Sequence, residues 1–237
     1  MTLTEAQTIL HALYTGDDQT PASSDAEFTV RTVFLNSGIN AWDTEIGMIW
    51  NELWTTLADA GDGDKTINAS DLLYTAPTDI RFLGGYIETY TDVNQKTKWG
   101  VVKPEKAALL DGDSIEVVVG FTEGHVWLTG NKKAGFVINF SSQATAGDTL
   151  DYPYYQDPTT LSGVSDVIEM SDPYFAVYFA LSKLHENEGA GDQAAFAMGQ
   201  AEEKLKGMKT LNAMAPPFQL NGAENSTILR TGAGFGR

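Results

Sequence analysis

The chain contains no cysteine, only three histidines, and 15 lysines and arginines against 32 aspartates and glutamates. Without cysteine, disulfides, thiolate nucleophiles and cysteine-based zinc sites are excluded. The shortage of cations leaves a formal charge of −17. That balance argues against a grip on nucleic acid, because neutralising phosphates takes clustered Lys and Arg. Anionic membrane surfaces are disfavoured for the same reason. A surface of this sign facing DNA would repel it rather than hold it. His11, His125 and His185 stand far apart, with no HExxH or paired-histidine spacing. No GxSxG elbow marks a nucleophilic serine. No Walker A or GxGxxG follows a β-rich run, and "TGAGFGR" at the end precedes no helix, so a phosphate cradle is not expected. No stretch approaches the roughly 18–20 apolar residues of a membrane span. The start "MTLTEAQTIL" lacks the basic and apolar regions of a signal peptide.

What is present suits a folded protein. A length of 237 residues with 42% hydrophobic content supports one sizeable core or two small domains. Thr2 and Glu5 have capping-box spacing, and Gly16 stands where a helix would end. Ser24 and Glu27 suggest a second capping box. Phe28, Leu35, Ile39, Trp42 and Ile46 then fall on one helical stripe, which the spacing extends through Trp50, Leu53, Trp54 and Leu57. The expected role of the tryptophans is core packing. From Asp62 the period shortens: "DLLYTAPTDIRFLGGYIETYTD", "IEVVVGFTEGHVWLTG", "AGFVINFS" and "GDTLDYPYYQ" read as strands bounded by turn residues. Within the last of these, alternation puts Tyr152 and Tyr154 on one face and Tyr155 on the other. Pro153 and Pro158 suit an edge strand or its exit. Helices return at "SDPYFAVYFALSKL", with Asp172 as cap and Pro173 in the first turn. Ala194, Met198, Ala201, Leu205 and Met208 mark a final amphipathic helix.

The expected fold class is therefore α+β: a helical bundle from both ends of the chain, with an inserted antiparallel β-sandwich or barrel. The expected divisions are N-terminal helices over 1–60, the β-module over 61–169, C-terminal helices over 170–208 and an extended arm over 209–237. Pro216–Pro217 stop the last helix, and Phe218, Leu220, Ile228, Leu229 and Phe235 follow among small polar residues. Such a segment reads either as an arm that orders on a partner or as a frayed terminus.

Signals for chemistry are weak. "DAGDGDKTINASDLL" resembles a calcium loop. With Ile67 at its aliphatic position, however, Ala60 and Lys65 occupy places that need an oxygen ligand and a glycine. Paired carboxylates for glycoside hydrolysis carry no information among 32 acids. No catalytic residue, metal or cofactor is expected. Charge distribution says more. Twelve acids up to Asp71 are opposed only by Arg31 and Lys65, whereas the arm carries Arg230 and Arg237 against Glu224. An acidic body with a mildly basic arm favours head-to-tail or hetero-assembly, beside the plain alternative of solubility charge.

The order of motifs is similar to that of the head-to-tail adaptors of tailed phages, of the tail tubular protein A type. The motifs are "RTVFLNSGINAWD…IWNELW", "LLYTAPTDIRFLGGYIETY" and "DTLDYPYYQDPTTLSGVSDVIEMSDPYFAVYFALSKL", followed by an Ala-rich helix. The resemblance covers roughly 26–209 and rests on Tyr154, Tyr155, Pro158, Leu161, Asp172, Pro173 and Tyr174. Ala76-Pro77-Thr78-Asp79 stands where the family usually has Leu-Pro-x-Asp. The resemblance implies a structural virion protein at the neck between capsid and tail, assembled in the host cytoplasm. It implies a homo-oligomeric ring of twelve that binds beneath the portal protein, docks the tail nozzle and lets genomic dsDNA pass without sequence-specific binding. Phe218, Leu220, Ile228, Leu229, Arg230 and Phe235 would then dock on the portal. Trp42, Trp50, Trp54, Tyr154, Tyr155 and Tyr174 would serve core and assembly. Two alternatives stand beside it: a carbohydrate- or receptor-binding module using Trp99, Trp127 and the tyrosines, and a neck stopper or other connector component.

Overall fold

The computed structural model describes residues 1–17, 20–68, 71–107 and 124–214. The fold class is α+β, and the chain divides into two compact units. Among the described residues, one comprises Met1–Leu53 and 158–214, and the other Trp54–Asp157. The inserted unit thus begins earlier and ends earlier than residues 61–169.

The helical unit opens with α1 (Leu3–Thr15). The capping box forms: the Glu5 amide donates to Thr2 Oγ1 at 3.2 Å, and the Thr2 amide donates to the Glu5 carboxylate at 2.8 Å. Gly16 closes the helix in the left-handed conformation. Helix α2 (Ala26–Asp43) has Asp25 rather than Ser24 as its N-cap residue and no side-chain cap, the Asp25 carboxylate accepting from the Ala22 amide instead. Phe28, Leu35, Ile39 and Trp42 face inward, as the stripe requires. The helix does not continue past Asp43. Gly47 takes a positive φ of 77°, Ile46 is 95% exposed, and the chain passes through a 3-10 turn (Asn51–Leu53). Trp54 then lies in a strand, not on the helical stripe. The β-branched pair Thr55–Thr56 that follows it explains the change, since both residues pack well on a pleated surface.

Helices α4 (Tyr174–Asn187) and α5 (Gly191–Met214) complete the unit, α4 packing on α5, α2 and α1. Asp172 supports the start of α4 by accepting from the Tyr174 amide at 3.1 Å. Helices α2 and α4 meet at Gly38, where a Cβ would lie 3.0 Å from Ala176 Cα. Asn36 of α2 clamps the backbone of Leu161 in both directions, at 2.8 and 2.9 Å. Asn212 of α5 holds the segment after α2, donating to the Ile49 carbonyl and accepting from the Asn51 amide. Lys209 pairs with Glu45 beside it.

Among the described residues the inserted unit holds two sheets. The three-stranded one runs in the order β1 (Trp54–Thr56), β9 (Pro153–Gln156), β3 (Ile80–Leu83). The six-stranded one runs β2 (Leu73–Thr75), β7 (Gly135–Phe140), β6 (His125–Asn131), β5 (Thr97–Val101), β4 (Tyr86–Tyr90), β8 (Thr149–Asp151). One turn of helix, α3 (Pro104–Ala107), follows β5. All described pairs are antiparallel except β5 with β6. The module is antiparallel as expected except at that pair, where the long connection between the two strands is of the length a parallel crossover needs. Both sheets feed one core containing Ile80, Tyr74, Ile87, Trp99, Val126, Phe140, Tyr152 and Tyr154. Strand β9 is central in its sheet, not an edge. Pro153 is accommodated because it occupies the first position of the strand. Its carbonyl accepts from the Gly84 amide at 2.8 Å, an approach so close that a Cβ on Gly84 would sit 2.7 Å from Pro153.

Candidate functional site

The aromatic residues expected to serve core and assembly separate between the two units. In the helical unit Trp42 and Trp50 stack with ring centroids 5.1 Å apart, both buried, and the Trp50 indole donates to the Trp42 carbonyl at 2.9 Å. In the inserted unit Trp54 meets Tyr155 edge to face at 5.2 Å across the β1–β9 pair. Tyr154 is fully buried and donates its hydroxyl to Asp79 at 3.1 Å; burial, then the Asp79 carboxylate, pushes its ionisation upward. Tyr152 packs beside it, with its hydroxyl unpartnered among the described residues. Of the six, only Tyr174 is exposed, at 41%, with Lys204 over its ring. Phe218, Leu220, Ile228, Leu229, Arg230 and Phe235 lie outside the described residues.

These positions bear on two earlier expectations. Trp99 is buried against Phe140 and donates to Thr89 Oγ1 at 3.1 Å, so it presents no ring face to a sugar. The acids of the calcium-like loop cap turns: Asp64 accepts from the Thr75 amide at 2.7 Å and Asp62 from the Thr78 amide. Lys65 reaches the Ala60 carbonyl at 2.7 Å. Among the described residues, no group of three or more His, Asp or Glu side chains is placed to hold a metal ion.

The fold brings together residues that stand far apart in the chain. Arg31 of α2 is fully buried, pairs with Glu27 one turn earlier, and donates to His11 Nδ1 of α1 at 2.8 Å. Its guanidinium lies 5.5 Å from the centre of the Tyr14 ring. The Tyr14 hydroxyl donates to Glu188 at the end of α4, and the ring lies 5.4 Å from that of His185. Burial, reinforced by the Glu188 carboxylate, pushes Tyr14 up to about 12. The cluster ties three helices by charge-assisted hydrogen bonds and a cation–π contact. The clue available beforehand was that Arg31 is one of two cations among the first 71 residues, with an acid four positions before it.

Beside this cluster the helices leave a groove of about 390 Å³. Leu13 of α1, Tyr178, Leu181 and His185 of α4, and Asp192 and Phe196 of α5 line it. Its rim holds apolar side chains open to solvent: Phe196 is 71% exposed and Leu13 43%. Further exposed apolar residues mark the helical unit, Val30 and Val33 on α2 and Leu211 on α5 among them. No family model matches the chain, and no curated protein sequence matches it.

Proposed function

We propose that the chain is a structural connector of tailed phages, a head-to-tail adaptor that assembles as a ring beneath the portal and receives the tail. The observation that carries this reading is the return from sheet to helix. Tyr154 and Tyr155 on β9 are followed by Pro158, by Leu161 clamped to α2, and by Asp172-Pro173-Tyr174 opening α4. These residues join an inserted β-unit to a helical unit built from both ends of the chain, the arrangement expected of such adaptors. The charge of −17 adds support, since an acidic lumen lets DNA slide without holding it. The exposed apolar residues of α2 and α5 supply faces for ring and portal contacts.

In this reading the segment 218–235 docks on the portal. Truncation at Ala215 is the test, with binding to the cognate portal ring followed by sedimentation and folding by circular dichroism. Lost binding with an unchanged spectrum is the expected result; unchanged binding refutes the role of the arm.

A further inference from the structure

The groove between α1, α4 and α5 is lined mainly by apolar surface and carries an acid, Asp192, in its lining. Its volume of about 390 Å³ lies in the range of pockets that hold compact ligands, ~300–1,000 Å³. An apolar side chain as exposed as Phe196, lining a groove together with exposed Leu13, marks a surface that gains by being covered.

We propose that the C-terminal segment of this chain covers it, Ile228 and Leu229 entering the apolar lining and Arg230 meeting Asp192. Three features select this occupant. The residues up to Met214 carry a net charge of −18, whereas the segment after it carries +1, so the segment is attracted to the body it leaves. Within the segment, Ile228-Leu229-Arg230 places two large aliphatic side chains next to a cation, which matches an apolar groove lined in part by a carboxylate. The reach is sufficient. The part of α5 that lines the groove, Asp192 to Gln200, lies about 21–33 Å from Met214 along the helix. The residues from 215 to 229 span up to about 50 Å when extended. That reach makes the occupant the segment of the same copy, folding back along α5. The portal would then compete with the groove for the same segment.

The absence of cysteine makes the test direct. Phe196→Cys is combined with Leu229→Cys in the full chain, without portal, and disulfide formation is timed under mild oxidation. Val33→Cys with Leu229→Cys is the control, because Val33 is exposed on α2 and outside the groove. The bond needs Cα atoms within about 7 Å. The expected result is formation at least about tenfold faster for the groove pair than for the control. A non-reducing gel should read a looped monomer, with the 196–229 link identified by peptide mapping; a covalent dimer carrying that link would overturn the same-copy assignment. Equal rates in the two pairs, or no bond in the groove pair, overturn the proposal. So does a dimer formed by Phe196→Cys alone at the same rate, which would mean that a second copy's groove face is the occupant. Asp192→Lys should slow the groove pair, and adding Arg230→Glu should restore it; an unchanged rate overturns the pairing of those two residues. Because the portal is absent throughout, the outcome stands apart from the adaptor reading.

Discussion

Replacing either stacked tryptophan by phenylalanine removes the same atoms, yet the two substitutions should differ sharply in cost. Trp42 and Trp50 are 0% and 1% exposed. Each change deletes roughly 40 Å³ of buried volume, worth about 1 kcal/mol of cavity at ~24 cal/mol per Å³, plus the lost transfer energy. The difference lies in the indole N–H groups. The Trp50 N–H donates to the Trp42 carbonyl at 2.9 Å, so Trp50→Phe forfeits a net ~1 kcal/mol. The carbonyl itself is not orphaned, because it also accepts from the Glu45 amide at 3.2 Å. The Trp42 N–H is buried with no partner among the described residues. Trp42→Phe therefore removes a group whose burial costs about 1–3 kcal/mol, offsetting most of the cavity. Trp50→Phe should be the more destabilising by about 2–4 kcal/mol. Urea unfolding followed at 222 nm, with unchanged m-values, measures it. Equal costs, or a larger cost for Trp42→Phe, would refute the reasoning.

Gly38→Ala should destabilise the helical unit by about 1–3 kcal/mol through the 3.0 Å approach to Ala176 Cα, despite a gain in helix propensity of about 1 kcal/mol; thermal unfolding reads the sign. His125 is 5% exposed, and burial lowers its pKa. The unfolded chain thus takes up a proton at this residue as pH falls below about 6.5 while the fold resists it, so stability is lost from there downward. His125→Gln should flatten the decline in melting temperature between pH 7 and pH 5 relative to the parent chain. Tyr14 has the opposite window. Its stabilisation is intact below about pH 10 and is lost as pH rises through about 12, so Tyr14→Phe should weaken the alkaline loss measured between pH 9 and pH 11.5.

Local signals in the chain proved legible where a short-range rule decides the outcome. The Thr2–Glu5 box, the Gly16 cap, the inward stripe of Phe28, Leu35, Ile39 and Trp42, and the opposite faces of Tyr154 and Tyr155 all follow from spacing alone. Competition between rules was less legible. Trp54 fits the helical stripe, but the β-branched Thr55–Thr56 and pairing with Tyr155 and Tyr154 draw it into a strand. Ser24 had the spacing of a cap, but the Asp25 carboxylate turned back to the Ala22 amide. Long-range assembly left no periodic trace. The parallel β5–β6 pair, the Arg31–His11–Tyr14–Glu188 cluster and the groove each join residues that only the fold makes neighbours.

In the proposed function this chain assembles as a connector ring on a portal. Solution mass by light scattering, first of the purified protein and then of its mixture with the cognate portal ring, tests it most directly. The expected result is a complex in which many copies join each portal in a fixed ring stoichiometry. A chain that keeps its own mass in the presence of the portal would contradict it.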